Sequence, residues 1–220
     1  MTSGIRKAAA SMLLGPALML APTTRAAAPE ATGAAHIVAA LKREVGASTA
    51  YSEVRFSGLL DRPLILRGEM QYLGPGRLAK RVDTPYRERT TVEDGSATLQ
   101  RGERPVRRLE LAQVPELDTF LRGFSALLGG DAAALSRDFT LRASGDAARW
   151  QLELTPRDAR LARRIASIRV DGAGSEPSCF RTREADGDES VLLVGPLAAT
   201  PLPVRVSPQR LDALCRGIER

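Results

Sequence analysis

The chain has 220 residues, with 32 Lys and Arg against 26 Asp and Glu, a formal net charge of +6, and it is 43% hydrophobic and 26% charged. That is the length and balance of one ordinary folded domain rather than a disordered chain. Two cysteines and one histidine cannot supply a four-ligand Cys/His zinc site, and any Ser-His-Asp or Cys-His mechanism would have to run through His36.

Residues 1–26 read as a secretory signal peptide. Arg6 and Lys7 make a basic start, and residues 8–22 form an apolar run broken by Pro16, too short to span a bilayer as a helix. Small residues follow, and cleavage after Ala26 places Thr24 and Ala26 at the −3 and −1 positions. Cleavage removes Arg6, Lys7 and Arg25 and no acid, so the net charge of +6 falls to +3. Only nine residues are aromatic (5 Phe, 3 Tyr, 1 Trp), few for stacking on bases, so no nucleic-acid partner is expected. No cysteine follows the cleavage point to accept a lipid, so the expected product is a soluble, unanchored periplasmic protein that does not span a membrane. Cys179 and Cys215 both lie in the exported part, where an oxidising compartment permits a bridge between them.

Residues 27–35 are a small-residue tether, and residues 36–220 form the folded part. A short helix is predicted from His36 to about Val45, with Ile37, Leu41 and Val45 as its apolar stripe. The period then changes to two. Val54 and Phe56 share one face of a first strand. From Leu64 to Tyr72, Leu64, Leu66, Met70 and Tyr72 share one face with Gly68, and Ile65, Arg67, Glu69 and Gln71 the other. Gly74-Pro75-Gly76 makes a turn, and Arg77 to Asp83 alternates with Leu78 and Val82 inward. Tyr86 to Glu93, Ala97 to Gln100 (after the Asp94-Gly95 hairpin signal) and Val106 to Leu111 are further strands.

The middle turns helical. Pro115 suits a first turn, and Val114, Leu117, Phe120, Phe124 and Leu127 recur at helical spacing up to Gly129-Gly130. Asp131 can cap a second short helix through Leu135. Strands resume at Phe139–Ala143, Arg149–Thr155, Ile165–Val170, Ser178–Glu184 and Ser190–Val194, the last two joined by an Asp186-Gly187-Asp188 turn. A final helix runs from Pro208 to about Arg216. The order implies a mainly β single domain with α: an unclosed antiparallel barrel or curled sheet of about 11 strands around a hydrophobic interior, covered by helices inserted midway.

Four stretches resemble the LolA-like periplasmic outer-membrane lipoprotein carriers: IVAALKREV followed by YSEVRF; GEMQYLGPGRL, a strand ending at a turn proline, then a strand closing at TPY; the hairpin VEDGSATL; and WQLELTPRD with its strand-ending Leu154-Thr155-Pro156. The stretch TFLRGFSALLGGDAAALSRDF lies where that family has its lid helices. The resemblance covers nearly all of residues 36–195. It departs at Gly74, where the familiar carriers place an Arg that helps latch the closed lid, and at Glu53, where they have Gln. These departures resemble a divergent subgroup.

The resemblance implies binding rather than catalysis, and no cofactor or metal. The implied client is an acylated lipoprotein or another lipid-tailed molecule, carried by a monomer from inner to outer membrane between an ABC-type releasing complex and an outer-membrane acceptor. The alternatives are a lipid-sensing regulatory module of the same fold and a carrier of a specialised glycolipid or polyene-type lipid. The candidate cavity lining is Phe56, Leu66, Met70, Tyr72, Leu78, Val82, Val92, Leu117, Phe120, Phe124, Leu127, Trp150, Leu152 and Leu154. Glu53, Glu69, Glu88, Asp94 and Asp118 form no recognisable catalytic pair, His36 sits beside a helix start, and no Gly-x-Ser-x-Gly or P-loop is present. An enzyme is therefore not expected.

Overall fold

The computed structural model describes residues 33–218. The signal-peptide reading of residues 1–26, and the tether up to residue 32, lie outside them. α1 (Ala34–Ala40) begins inside the stretch read as tether and ends earlier than Val45. It buries Ile37, Val38 and Leu41, whereas Val45 is 69% exposed, because the chain leaves the helix at Leu41 and turns at Gly46 into the sheet.

A first meander follows: β1 (Ser48–Phe56), β2 (Leu64–Gly74), β3 (Arg77–Thr84), β4 (Glu88–Glu93), β5 (Ser96–Arg101) and β6 (Arg107–Glu110). Next come α2 (Pro115–Leu128) and α3 (Ala132–Asp138). The second meander is β7 (Phe139–Gly145), β8 (Trp150–Pro156), β9 (Ile165–Ala173), β10 (Glu176–Glu184) and β11 (Glu189–Val194), with a one-turn α4 (Ala159–Ala162) not anticipated from sequence. α5 (Pro208–Cys215) closes the chain. Local chemistry sets several boundaries. Asp94 and Gly95 adopt φ 50 and 72, the conformation of a tight two-residue hairpin. Asp131 accepts the Ala134 N–H at 2.8 Å and starts α3.

All pairings are antiparallel, in the order β6-β5-β4-β3-β2-β1-β11-β10-β9-β8-β7. The first and last strands pair (Tyr51 opposite Val194), which joins the two meanders into one sheet. β6 and β7 remain as edges, so the sheet is not closed into a barrel. It is nonetheless curled: Thr90 of β4 and Ile168 of β9 border one cavity, although six inter-strand steps would set them about 29 Å apart on a flat sheet.

The inner face carries Tyr51, Leu66, Val82, Leu152, Leu154, Ile168, Val170 and Phe180, packed with Ile37, Val38 and Leu41 of α1, Leu127 of α2 and Leu135 of α3. The outer face is covered in its centre by α5. There Val54, Cys179, Val191 and Leu193 pack against Leu211, Leu214 and Cys215. Cys179 and Cys215 are disulfide-bonded and tie α5 to β10. The face of β1 bearing Val54 and Phe56 is thus the outer one. The register sets the odd-numbered β1 residues inward with the even-numbered residues of β2.

Candidate functional site

α2 lies across the inner face. Pro115 opens it, and Thr119 turns its hydroxyl back to the Pro115 carbonyl at 2.9 Å. Gly123 lets α2 settle on the sheet, since a Cβ there would stand 2.3 Å from the Phe139 ring. The C-terminal half is tied down twice. The Gly76 N–H, in the β2–β3 turn, donates to Ser125 Oγ at 2.8 Å, and the Arg43 N–H donates to the Leu128 carbonyl at 2.8 Å. Near the other end, Glu116 and Arg164 approach only to 3.9 Å.

Between α2 and the sheet lies a cavity of about 1150 Å³, larger than the roughly 300–1,000 Å³ of ordinary small-molecule pockets. Its roof is Leu117, Phe120, Leu121, Phe124 and Leu128, all only half-buried. Phe120 and Phe124 stack with centroids 6.5 Å apart, and Phe124 meets Phe180 of β10 edge-on at 5.6 Å. One aromatic pair therefore crosses from roof to floor.

Of the fourteen residues read as lining, Phe56, Met70, Tyr72, Leu78, Val92, Leu117, Phe120 and Phe124 border the cavity, although Phe56 also packs into the outer cluster. Leu66, Val82, Leu127, Trp150, Leu152 and Leu154 do not. They lie in the filled core, where their side chains meet the neighbouring elements closely. Trp150 is 2% exposed and donates its indole N–H to the Gly174 carbonyl at 2.9 Å, a structural contact at the β8–β9 end. On α2 the cavity stripe is Leu117, Leu121, Phe124 and Leu128 with Phe120 beside it. Leu127 faces the core instead, a rotation of about one residue from the expected face. The sequence reading also missed Ile168, Phe180 and Leu192, which alternation along β9, β10 and β11 marks as inward.

The floor is not wholly apolar. Glu53 of β1 borders the cavity with its side chain 8% exposed. One carboxylate oxygen accepts from Arg55 Nε at 2.7 Å and the other from Lys80 Nζ at 2.5 Å. Burial raises the Glu53 pKa, but Lys80 and then Arg55 outweigh it, and the carboxyl is held below its ordinary value. The Lys80 ammonium also stands 4.9 Å over the Tyr51 ring. Burial pushes the Tyr51 hydroxyl well above its usual range, with Glu53 adding to the effect, and the group donates to the Arg81 carbonyl at 3.2 Å. At the rim, burial and then Asp186 and Asp188 raise Glu184. The other carboxylates considered for catalysis do not converge: Glu69 pairs with Arg81, Glu88 with Arg101 and Asp118 with Arg122, while Asp94 forms the hairpin turn. His36 is exposed on α1.

The model of the family described as outer membrane lipoprotein carrier protein LolA-like matches residues 26–218. The chain belongs to that family. Comparison with curated protein sequences gives no match. Solved structures of similar shape include a LolA superfamily protein from Nitrosomonas europaea (12% identity, 77% of this chain and 93% of that one, TM-score 0.42). Others are the MucA/MucB complex of Pseudomonas aeruginosa (15%, 81% and 60%, 0.37) and a DUF1329 family protein from Desulfovibrio piger (12%, 82% and 96%, 0.41). Among the described residues of this LolA-like chain, no helix is long and apolar enough to cross a membrane.

Proposed function

We propose that this protein is a periplasmic carrier that takes the acyl chains of lipoproteins, or of a similar lipid-tailed client, into the cavity beneath α2 and moves them from inner to outer membrane. The observation that carries the reading is the roof. α2 lines a cavity of about 1150 Å³ with Leu117, Phe120, Leu121, Phe124 and Leu128, all half-buried, and all but Phe120 also pack on the sheet around Tyr72, Leu78 and Val92. Burying a methylene is worth about 0.8 kcal/mol, so one 16-carbon chain left in water forgoes about 12 kcal/mol. An acylated client cannot cross an aqueous compartment uncovered, and a LolA-like carrier meets that need with a closable cavity. It must also release its cargo. The lid therefore has to exist in two states of similar free energy, and the client can shift them only by its differential affinity.

In this reading residues 1–26 direct export and the mature chain begins near Ala27. An inner-membrane complex loads the carrier and an outer-membrane acceptor unloads it. The cavity serves binding rather than chemistry. The test is mass spectrometry of the protein purified from its native periplasm, with N-terminal sequencing of the same sample. Co-purified acylated protein or lipid and a start near Ala27 are expected. A protein that keeps residues 1–26, carries no acyl species and displaces no fluorescent acyl probe would end the reading.

A further inference from the structure

We propose that Arg55 and Lys80 form a head-group site inside the cavity, for the carboxylate or phosphate of an anionic amphiphile whose chain lies under α2. The proposal rests on the acyl-binding reading above and adds the polar end of the ligand.

Glu53, Arg55 and Lys80 all border the cavity, on adjacent inner-face positions of β1 and on β3. Both oxygens of Glu53 are engaged, one by Arg55 Nε and one by Lys80 Nζ. Among the described residues, the terminal guanidinium nitrogens of Arg55 carry no hydrogen bond, and the Lys80 ammonium has only Glu53 as a hydrogen-bond partner, with the Tyr51 ring beneath it. A guanidinium offers five N–H donors and an ammonium three, and neither can accept. What the cluster has left to offer the cavity is therefore all donor, and two cations against one carboxylate leave it a formal charge of +1. Nearby acids do not use up that capacity. Glu88 is committed to Arg101 at 2.6 Å, and Glu184 feels Arg55 electrostatically without a hydrogen bond to it.

A cluster serving only to hold β1 and β3 together would be expected to satisfy itself and face packed protein, since replacing a buried ion pair by apolar side chains is often neutral or stabilising. This one borders the cavity with donors unspent. The complementary ligand group is an acceptor. Charge-assisted hydrogen bonds to an oxyanion are roughly twice as strong as those to a neutral oxygen, so an acid head is preferred over an ester or alcohol.

The test displaces a fluorescent acyl probe from the full-length mature protein with laurate, dodecyl phosphate, dodecanol or inorganic phosphate. Laurate and dodecyl phosphate should displace at concentrations at least about tenfold lower than dodecanol at low salt. That gap should narrow as salt is added. Inorganic phosphate alone should not compete in the same range. Arg55→Met should remove most of the gap, weakening laurate and dodecyl phosphate far more than dodecanol. Arg55 is about half exposed and Lys80 keeps Glu53 paired, so the variant should fold. The salt series on the unaltered protein tests the same point without a variant. Equal binding of acid and alcohol, or a gap that survives Arg55→Met, overturns the head-group site while the acyl cavity stands. Inorganic phosphate binding as tightly as dodecyl phosphate overturns the lipid source of the anion. Failure of every amphiphile to displace the probe overturns the cavity reading as well.

Discussion

Phe124 of α2 and Phe139 of β7 should respond differently to truncation. Phe139 is 1% exposed and its ring is pressed against Gly123, with filled core around it. Phe139→Ala leaves a sealed void, which costs about 3–5 kcal/mol. Phe124 is half-buried and already borders empty space, so Phe124→Ala enlarges an existing cavity. It loses mainly the stack on Phe120 and the edge contact with Phe180. At about 0.5–1.5 kcal/mol per ring pair, that is about 1–3 kcal/mol. The two variants should therefore differ by about 2 kcal/mol in urea denaturation, with unchanged m-values. Titration with a fluorescent acyl probe should show the reverse order, with Phe124→Ala weakened by about tenfold and Phe139→Ala near the unaltered protein if folded. Equal stability losses with probe affinity unchanged in both would mean that Phe124 is ordinary core and that the cavity is not the binding site.

Four further outcomes are expected. Ser125→Ala leaves the Gly76 N–H without its acceptor and should cost about 1 kcal/mol; faster hydrogen exchange at Gly76 and along α2, with faster probe release, would be the sign, and unchanged exchange would contradict the latch. The folded-state pKa of Glu53 is depressed, so the stability it contributes is present above the unfolded carboxyl's range and lost as pH falls through the folded value. Glu53→Gln should accordingly lower stability at neutral pH and flatten its decline below about pH 5, and parallel pH curves would count against this. Reducing Cys179–Cys215, which closes a sequence separation of 36, should lower stability by at most about 4 kcal/mol and expose two alkylatable thiols. Gly123→Ala forces a Cβ against Phe139 and should cost about 1–3 kcal/mol by denaturation, with no loss expected if α2 can lift freely.

The sheet was legible because each strand carries its own alternation and turn chemistry. Leu64, Leu66, Met70 and Tyr72 share the inner face as the period of two requires, and Asp94-Gly95 marks its hairpin without any tertiary information. What alternation cannot say is which face is inside. Val54 and Phe56 are apolar, but so is the outer patch beneath α5, whereas the inner positions of β1 are Tyr51, Glu53 and Arg55. Only the register with β2 and β11 decides between them. The same limit acts on α2, where apolar residues occupy more than one face: Leu127 goes to the core and Leu121 to the cavity. The charged floor was hidden for a further reason. Glu53 and Lys80 are 27 residues apart, and neither strand alone predicts that they meet.

Gly74 shows how a missing side chain can be a property of the backbone. The LolA-like resemblance leads one to expect an Arg at this turn as a lid latch. Here the residue sits at φ 121 beside a register shift in the β2–β3 pair, a conformation that strains any residue with a Cβ. The turn thus excludes a side-chain latch at that position and instead offers α2 the Gly76 amide, taken up by Ser125. One such neutral bond is worth about 1 kcal/mol net, the Arg43 N–H to the Leu128 carbonyl adds a second, Leu127 anchors α2 in the core, and Phe124 meets Phe180 across the cavity. In the proposed carrier an incoming chain would replace those ring contacts with its own, so both arrangements would draw on the same apolar surface. On that proposal the client's own apolar burial is what offsets the parting of roof from sheet, and its loss lets the rings close again.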